Sequence, residues 1–116
     1  MVSEQQFKEQ LQNGRMVESP EEMTEGYRKA LEGTLLVSGD TELMSAPAYY
    51  GPSMEAPTLD ARASCVSVIQ DELGHGHIAY RLLEDLGYDR HELVFGREPH
   101  EFRNTYGFDQ PLDNFA

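Results

Sequence analysis

Apolar residues recur at helical spacing in two long stretches of the chain, separated by a segment rich in proline and glycine. In the second stretch Cys65, Val68, Ile69, Gly76, Ala79, Leu83 and Leu86 fall within roughly 60° of one direction on a helix of about 100° per residue. Glu72 and His75 lie on the same stripe. This helix is predicted to open near Thr58 to Asp60 and to end at Gly87, a C′ glycine after Glu84-Asp85-Leu86. At on the order of 40 Å it is long for an ordinary domain and normal for a bundle. In the first stretch Tyr27, Leu31, Leu35 and Ser38 step by four, four and three, and the next step of four lands on Glu42. Asp40 and Thr41 turn outward on that phase. Ser19 as N-cap, Pro20 in the first turn and Glu22 three after the cap predict the start of the helix. Ala46-Pro47 and the loop Tyr49-Tyr50-Gly51-Pro52 predict its end at about Ser45. Gly33 and Gly39 weaken it by up to about 1 kcal/mol each relative to alanine, and mark close packing or a local distortion.

The ends are less patterned. Residues 1–18 form a polar arm in which Phe7 and Leu11, four apart, allow either a short docking helix or a frayed lead. Beyond Gly87, the run His91-Glu92-Leu93-Val94-Phe95 reads as one short helix, and Gly96 to Ala116 mainly as loop. The expected fold is all-α: two long antiparallel helices plus a short helix and a loop tail, in one unit over residues 19–116. Two long helices cannot by themselves bury both of their apolar stripes.

Composition narrows the function classes. The 116 residues suffice for one domain with a modest core. A formal net charge of −12 argues against a nucleic-acid binder, since nothing here would neutralise phosphates. Only Lys8 and Lys29 occur against seven arginines, and a dispersed acidic, lysine-poor surface would suit a high-salt cytoplasm. No segment approaches the roughly 20 apolar residues of a membrane span. The N-terminus lacks the basic-then-apolar pattern of a secretion signal. A single cysteine, Cys65, excludes an internal disulfide framework and fits a reducing cytoplasm; it is expected as a small buried hydrophobe. There is no glycine-rich phosphate loop, no nicotinamide or flavin motif and no triad pattern.

The candidate chemistry lies on the second stripe. Burying an unpaired carboxylate costs several kcal/mol, so such a group is protonated, paired or metal-bound. Glu-x-x-His on the inner face of a helix is how bundle proteins of the di-iron or di-manganese carboxylate type bind metal. Glu72 and His75 have that spacing, and Glu42 is a second carboxylate on the apolar side of the first helix. Asp71 lies about 100° from Glu72, at the flank, and His77 about 140° away. His75-x-His77 would therefore need a strand to act as a pair. A complete bundle site takes two helices with one Glu each and two with Glu-x-x-His each. This chain offers one of each, which is half a site. His91-Glu92 and His100-Glu101 have the wrong order and spacing to complete it. Either a C-terminal half lies outside this sequence, or two copies associate.

Gly26-Tyr27-Arg28-Lys29-Ala30-Leu31, Glu42, Ala56-Pro57-Thr58-Leu59 and Gln70-Asp71-Glu72-Leu73-Gly74-His75-Gly76 closely resemble the catalytic A subunits of ring-1,2-phenylacetyl-CoA epoxidases, of the phenylacetic acid catabolic protein family. The resemblance runs in register from about residue 18 to the C-terminus and covers only the N-terminal part of such subunits. It implies a ferritin-like fold and a di-iron centre that epoxidises the aromatic ring of phenylacetyl-CoA with O₂. The partners it implies are a structural ferritin-like subunit, a small bridging subunit, plus a flavin/iron–sulfur reductase fed by NADPH. Carried over, Glu42 would be a terminal iron ligand, Glu72 the bridging carboxylate and His75 the nitrogen ligand. Asp71 would accept a hydrogen bond that fixes a histidine tautomer. The family's second-iron ligands come from a third and fourth helix that have no counterpart here, so the isolated chain is expected to be inactive and to require association. Two other readings stay open: a non-catalytic interaction module, and a homodimeric ferritin-like metal binder. Benzoyl-CoA or another aryl-CoA is an alternative substrate.

Overall fold

The computed structural model describes residues 2–104, and they contain no strand. Three helices, α1 (Glu4–Gln12), α2 (Glu25–Ser53) and α3 (Leu59–Asp85), carry the fold. Short helical turns follow at Glu92–Gly96, wound as a π-helix, and at Pro99–Glu101. The expected all-α pair of long helices with a short helix and an irregular tail is what forms; the tail beyond Asn104 lies outside the described residues.

The N-terminal arm is a docked helix. Ser3 caps α1 by a reciprocal bond with Gln6, and Phe7 is buried edge-on against Tyr27, ring centroids 5.4 Å apart. Arg15 lies over the Phe7 ring, 4.9 Å from its centroid. Glu4 ties the arm to the start of α2, accepting from Thr24 Oγ1 at 2.7 Å and from the Gly26 amide at 2.8 Å.

Both predicted ends of the first long helix move. Ser19-Pro20-Glu21-Glu22 makes only a 3₁₀ turn, without a side-chain cap, and Met23 is extended. The cap is Thr24, whose Oγ1 accepts from the Tyr27 amide at 3.3 Å. At the other end α2 runs through Pro47 and Pro52 to Ser53. A proline removes one i→i−4 bond and crowds a carbonyl. Ser45 and Ser53 donate to the carbonyls of Glu42 and Tyr50, each at 2.6 Å, within this stretch. Ala46 and Ser53 are buried, so tertiary packing extends the helix where local propensity would end it. The second long helix forms as expected, with Thr58 accepting from the Ala61 amide at 3.1 Å and Gly87 at φ +99° past its end.

α2 and α3 pack antiparallel, as cross-links along their length show: Arg28 to the Leu86 carbonyl, Tyr88 to Glu32, Tyr80 to Asp40 and Arg62 to the Met54 carbonyl. The core is centred on Tyr80, Leu83 and Leu93, with Leu35, Leu36, Leu43, Tyr88 and Val94 against it. α2 covers only part of the α3 stripe. Cys65 is half-buried rather than buried, and Val68 stays 50% exposed.

Asp40 is the largest departure from the sequence reading. Expected to face water, it is fully buried. It accepts from Tyr80 Oη at 2.7 Å, from Arg97 at 2.5 and 3.0 Å, and from the Arg103 amide at 2.8 Å. The segment after the π-helical turn folds back over this face of α2, with Arg97 stacked on Phe102 at 4.1 Å. Nothing local to α2 announces that cover. No helix among the described residues is long and apolar enough to cross a membrane.

Candidate metal centre

Glu42, Glu72 and His75 come together beside a close approach of α2 and α3. A Cβ added to Gly76 would meet the Gly39 carbonyl oxygen at 3.4 Å and Glu42 Cβ at 3.5 Å, so the two backbones touch across glycine beside His75 and Glu42. Each of the three residues offers one ligand atom, and these atoms lie within 4.8 Å of one another. Two donors on one ion at about 2.1 Å each can be at most about 4.2 Å apart. A side-chain adjustment of under about 1 Å would therefore let all three reach one ion. Two carboxylates and one imidazole suit a divalent first-row metal such as iron or manganese, and the donor set fits the group that the sequence implies.

The electrostatics are those of carboxylates crowded together. The Glu42 carboxyl is pushed above its ordinary value by a hydrogen bond with Glu72, then by loss of water, then by the charge of Glu72. Asp71 adds to the effect and His75 opposes it. Crowding of this kind favours a cation between the two carboxylates, which would relieve their mutual repulsion. Glu42 and Glu72 are half-buried, whereas the His75 side chain is 52% exposed.

Asp71 stands one turn before His75 on α3, Oδ2 3.8 Å from His75 Nε2, a loose and exposed contact. His77 lies apart from the three. It faces Arg90, with Nε2 and Nη1 3.5 Å apart, across a cleft that Leu43, Leu73, Tyr80, Val94 and Phe95 also line. The buried Asp40–Arg97–Tyr80 cluster was missed from sequence. Gly39 beside Asp40 was its one signal, because a Cβ there would strike the Tyr80 ring at 2.9 Å.

Comparison with known proteins adds an independent line. The chain is 28% identical over 93 residues to the A subunit of the 1,2-phenylacetyl-CoA epoxidase of Escherichia coli (strain K12). The aligned part is 80% of this chain and 30% of that protein, so the chain spans about a third of the length of this curated relative. No solved structure matches. Residues 5–116 match the family described as phenylacetic acid catabolic protein, which is nearly the whole sequence. With the family pattern running through both long helices and the Glu42–Glu72–His75 cluster between them, the chain belongs to the phenylacetic acid catabolic protein family.

Proposed function

We propose that this chain forms part of the oxygenase subunit of a multicomponent phenylacetyl-CoA 1,2-epoxidase, in which Glu42, Glu72 and His75 hold iron. The observation that carries this reading is the gathering of those three donors within 4.8 Å on facing helices, in a chain of this family. On this reading the fold is half of a ferritin-like bundle, and the full centre has four carboxylates and two imidazoles around two irons.

Each residue has a physical task. Glu42 and Glu72 would neutralise the cation in a site partly withdrawn from water, and the cation would offset the repulsion that raises the Glu42 carboxyl. Glu72, three residues before His75 on α3, would be the bridging carboxylate on the pattern of the family. His75 would supply the nitrogen donor, and Asp71, its Oδ2 3.8 Å from Nε2, would have to draw closer to take an N–H of the ring and fix the tautomer. Bound iron would supply the activation of O₂ for transfer to the aromatic ring of an aryl-CoA, phenylacetyl-CoA before benzoyl-CoA. Electrons would come from NADPH through a flavin/iron–sulfur reductase, since this sequence has no motif for either cofactor. A structural ferritin-like subunit, with a small bridging subunit, would complete the assembly.

The test is reconstitution of this chain, joined to the helices that complete its bundle, with the partner subunits and reductase, following ¹⁸O₂ incorporation into phenylacetyl-CoA by mass spectrometry. Glu42→Ala, Glu72→Ala and His75→Ala are each expected to abolish iron binding and label incorporation, and His77→Ala to retain iron. Iron retention in all three single variants, or iron loss on His77→Ala alone, would reject the assignment. The chain without partners is expected to incorporate no label.

A further inference from the structure

Gly76 directly follows the metal donor His75 in the Gln70-Asp71-Glu72-Leu73-Gly74-His75-Gly76 string, and the proposed function gives it no task. Its contacts do. A Cβ built on Gly76 would meet three atoms of α2: the Gly39 carbonyl oxygen at 3.4 Å, Glu42 Cβ at 3.5 Å and the Leu43 amide nitrogen at 3.5 Å. These are ordinary van der Waals distances, so a methyl group would just fill the gap and any larger side chain has to push α2 away. One of the three atoms belongs to Glu42 itself. The size of the residue at 76 therefore sets how far Glu42 stands from α3, the helix that carries Glu72 and His75.

One turn further along α3, Tyr80 holds the same stretch of α2. A Cβ on Gly39 would come within 2.9 Å of its ring, and its hydroxyl donates to Asp40 at 2.7 Å. The ring cannot swing clear without breaking that bond, since Tyr80 is buried and Arg97 holds Asp40 in turn. Gly76 and Tyr80 thus grip α2 over Gly39 to Leu43, the turn that carries Glu42. Gly33, Gly51 and Gly74, elsewhere on the two helices, would meet nothing within 4 Å. Among the described residues, glycine contact between α2 and α3 is confined to the level of the metal donors.

We infer that Gly76, Gly39 and Tyr80 are positioning residues for the metal cluster: they set the separation at which the Glu42 carboxylate reaches an ion held by Glu72 and His75. The inference rests on the metal-centre reading above. The margin is small. The donor atoms lie within 4.8 Å of one another, against at most about 4.2 Å for two donors on one ion. A side-chain adjustment closes that difference now, and helices set about 1 Å further apart would use up the whole of it. These contacts lie between α2 and α3, so they hold whichever further helices cover the front of the site.

The test uses this chain joined to the helices that complete its bundle, together with the partner subunits. Manganese(II), a redox-silent divalent ion, is the probe, read by bound-metal analysis and electron paramagnetic resonance. Gly76→Ala is expected to bind Mn²⁺ as the parent does, because its methyl only completes a contact. Gly76→Val and Gly39→Ala are each expected to bind roughly tenfold more weakly or worse, and at saturation to show an altered Mn²⁺ spectrum, the mark of a changed ligand set. Leu83→Ala removes a fully buried side chain about two turns from His75 and controls for instability alone. It should lower the melting temperature and leave Mn²⁺ affinity and spectrum unchanged. An equal loss of affinity in Leu83→Ala, or parental affinity and spectrum in Gly76→Val, overturns the inference and leaves the metal centre standing. If Gly76→Val does not fold, Gly39→Ala decides by the same two readouts. Mn²⁺ binding unaffected by Glu72→Gln would reject the metal centre itself, and this inference with it.

Discussion

Replacing Asp40 by asparagine tests how the tail is held to α2. The side chain keeps its shape and loses its charge. Asp40 Oδ1 now accepts from Tyr80 Oη and Arg97 Nη2, and Oδ2 from Arg97 Nη1 and the Arg103 amide. An asparagine can accept at only one of these positions, so whichever way its amide turns, two donors meet an N–H₂ group. The Arg97 guanidinium, with its side chain 15% exposed, also loses its counter-charge. Breaking a buried ion pair on one side costs about 3–5 kcal/mol. The partial exposure of Arg97 lets water recover some of this, which puts the expected loss near the low end, about 3 kcal/mol. For a chain of this length that is a fall in Tm on the order of 10–20 °C. The assay is urea unfolding followed by helical circular dichroism, with Glu84→Gln as control. Glu84 pairs with Arg81 at 3.0 Å and Arg90 at 3.4 Å at the surface, and its loss should cost under about 0.5 kcal/mol. An Asp40→Asn variant within about 1 kcal/mol of the parent would refute the buried clamp.

Three further outcomes follow from the same packing. Gly33→Ala, where an added Cβ meets nothing within 4 Å, should stabilise α2 by up to about 1 kcal/mol, whereas Gly39→Ala should destabilise it, because its Cβ would strike the Tyr80 ring at 2.9 Å; paired thermal melts decide the sign. The Tyr80 phenol is held far above its ordinary value, first by burial and then by Asp40. A raised folded-state value means stability present below the unfolded tyrosine pKa of about 10 and lost above it. The chain should therefore unfold in alkali more steeply than Tyr80→Phe, as pH-jump circular dichroism reports, and equal slopes would contradict this. Glu42 is also raised, so in EDTA its contribution is present below the unfolded glutamate value of about 4.3 and lost as pH rises through the folded one. Glu42→Gln should flatten that loss, while Mn²⁺ affinity of the parent rises over the same range with measurable proton release.

What was legible in the sequence was what depends on helical phase. Thr58, Gly87 and the stripe between them fix α3 from local rules, and phase alone puts Glu42, Glu72 and His75 on facing stripes, which is enough to gather their donor atoms. Phase also sends Asp40 outward, and there it fails. Asp40 is buried by a segment nearly sixty residues away along the chain, and no periodicity reports a cover supplied by a tail. The ends of α2 failed for related reasons. Ser19-Pro20 has the composition of a cap, but Thr24, already bound to Glu4 of the docked arm, is the residue placed to use one. Pro47 should end a free helix, yet Ala46 and Ser53 on either side of it are buried.

These departures share a geometry that bears on the metal centre. Asp40 and Glu42 point roughly 160° apart on α2 at helical pitch. The chain spends its tail on the Asp40 side, where Arg97, the Arg103 amide and Tyr80 saturate the carboxylate. Tyr80 in turn rests on Gly39, and Gly76 rests on the Gly39 carbonyl, so the clamp presses the helices together one residue from His75. The opposite side, carrying Glu42, Glu72 and His75, is only partly covered by the described residues: both carboxylates are half-buried, and Val68 stays 50% exposed. A hairpin meant to be buried on both sides has no reason to lock one side with a paired buried charge and leave three metal-type donors half-exposed on the other. One meant to close around a cation with a second helical pair needs that arrangement: a rigid, self-sufficient back, and a front whose carboxylates repel until a metal and its facing helices arrive.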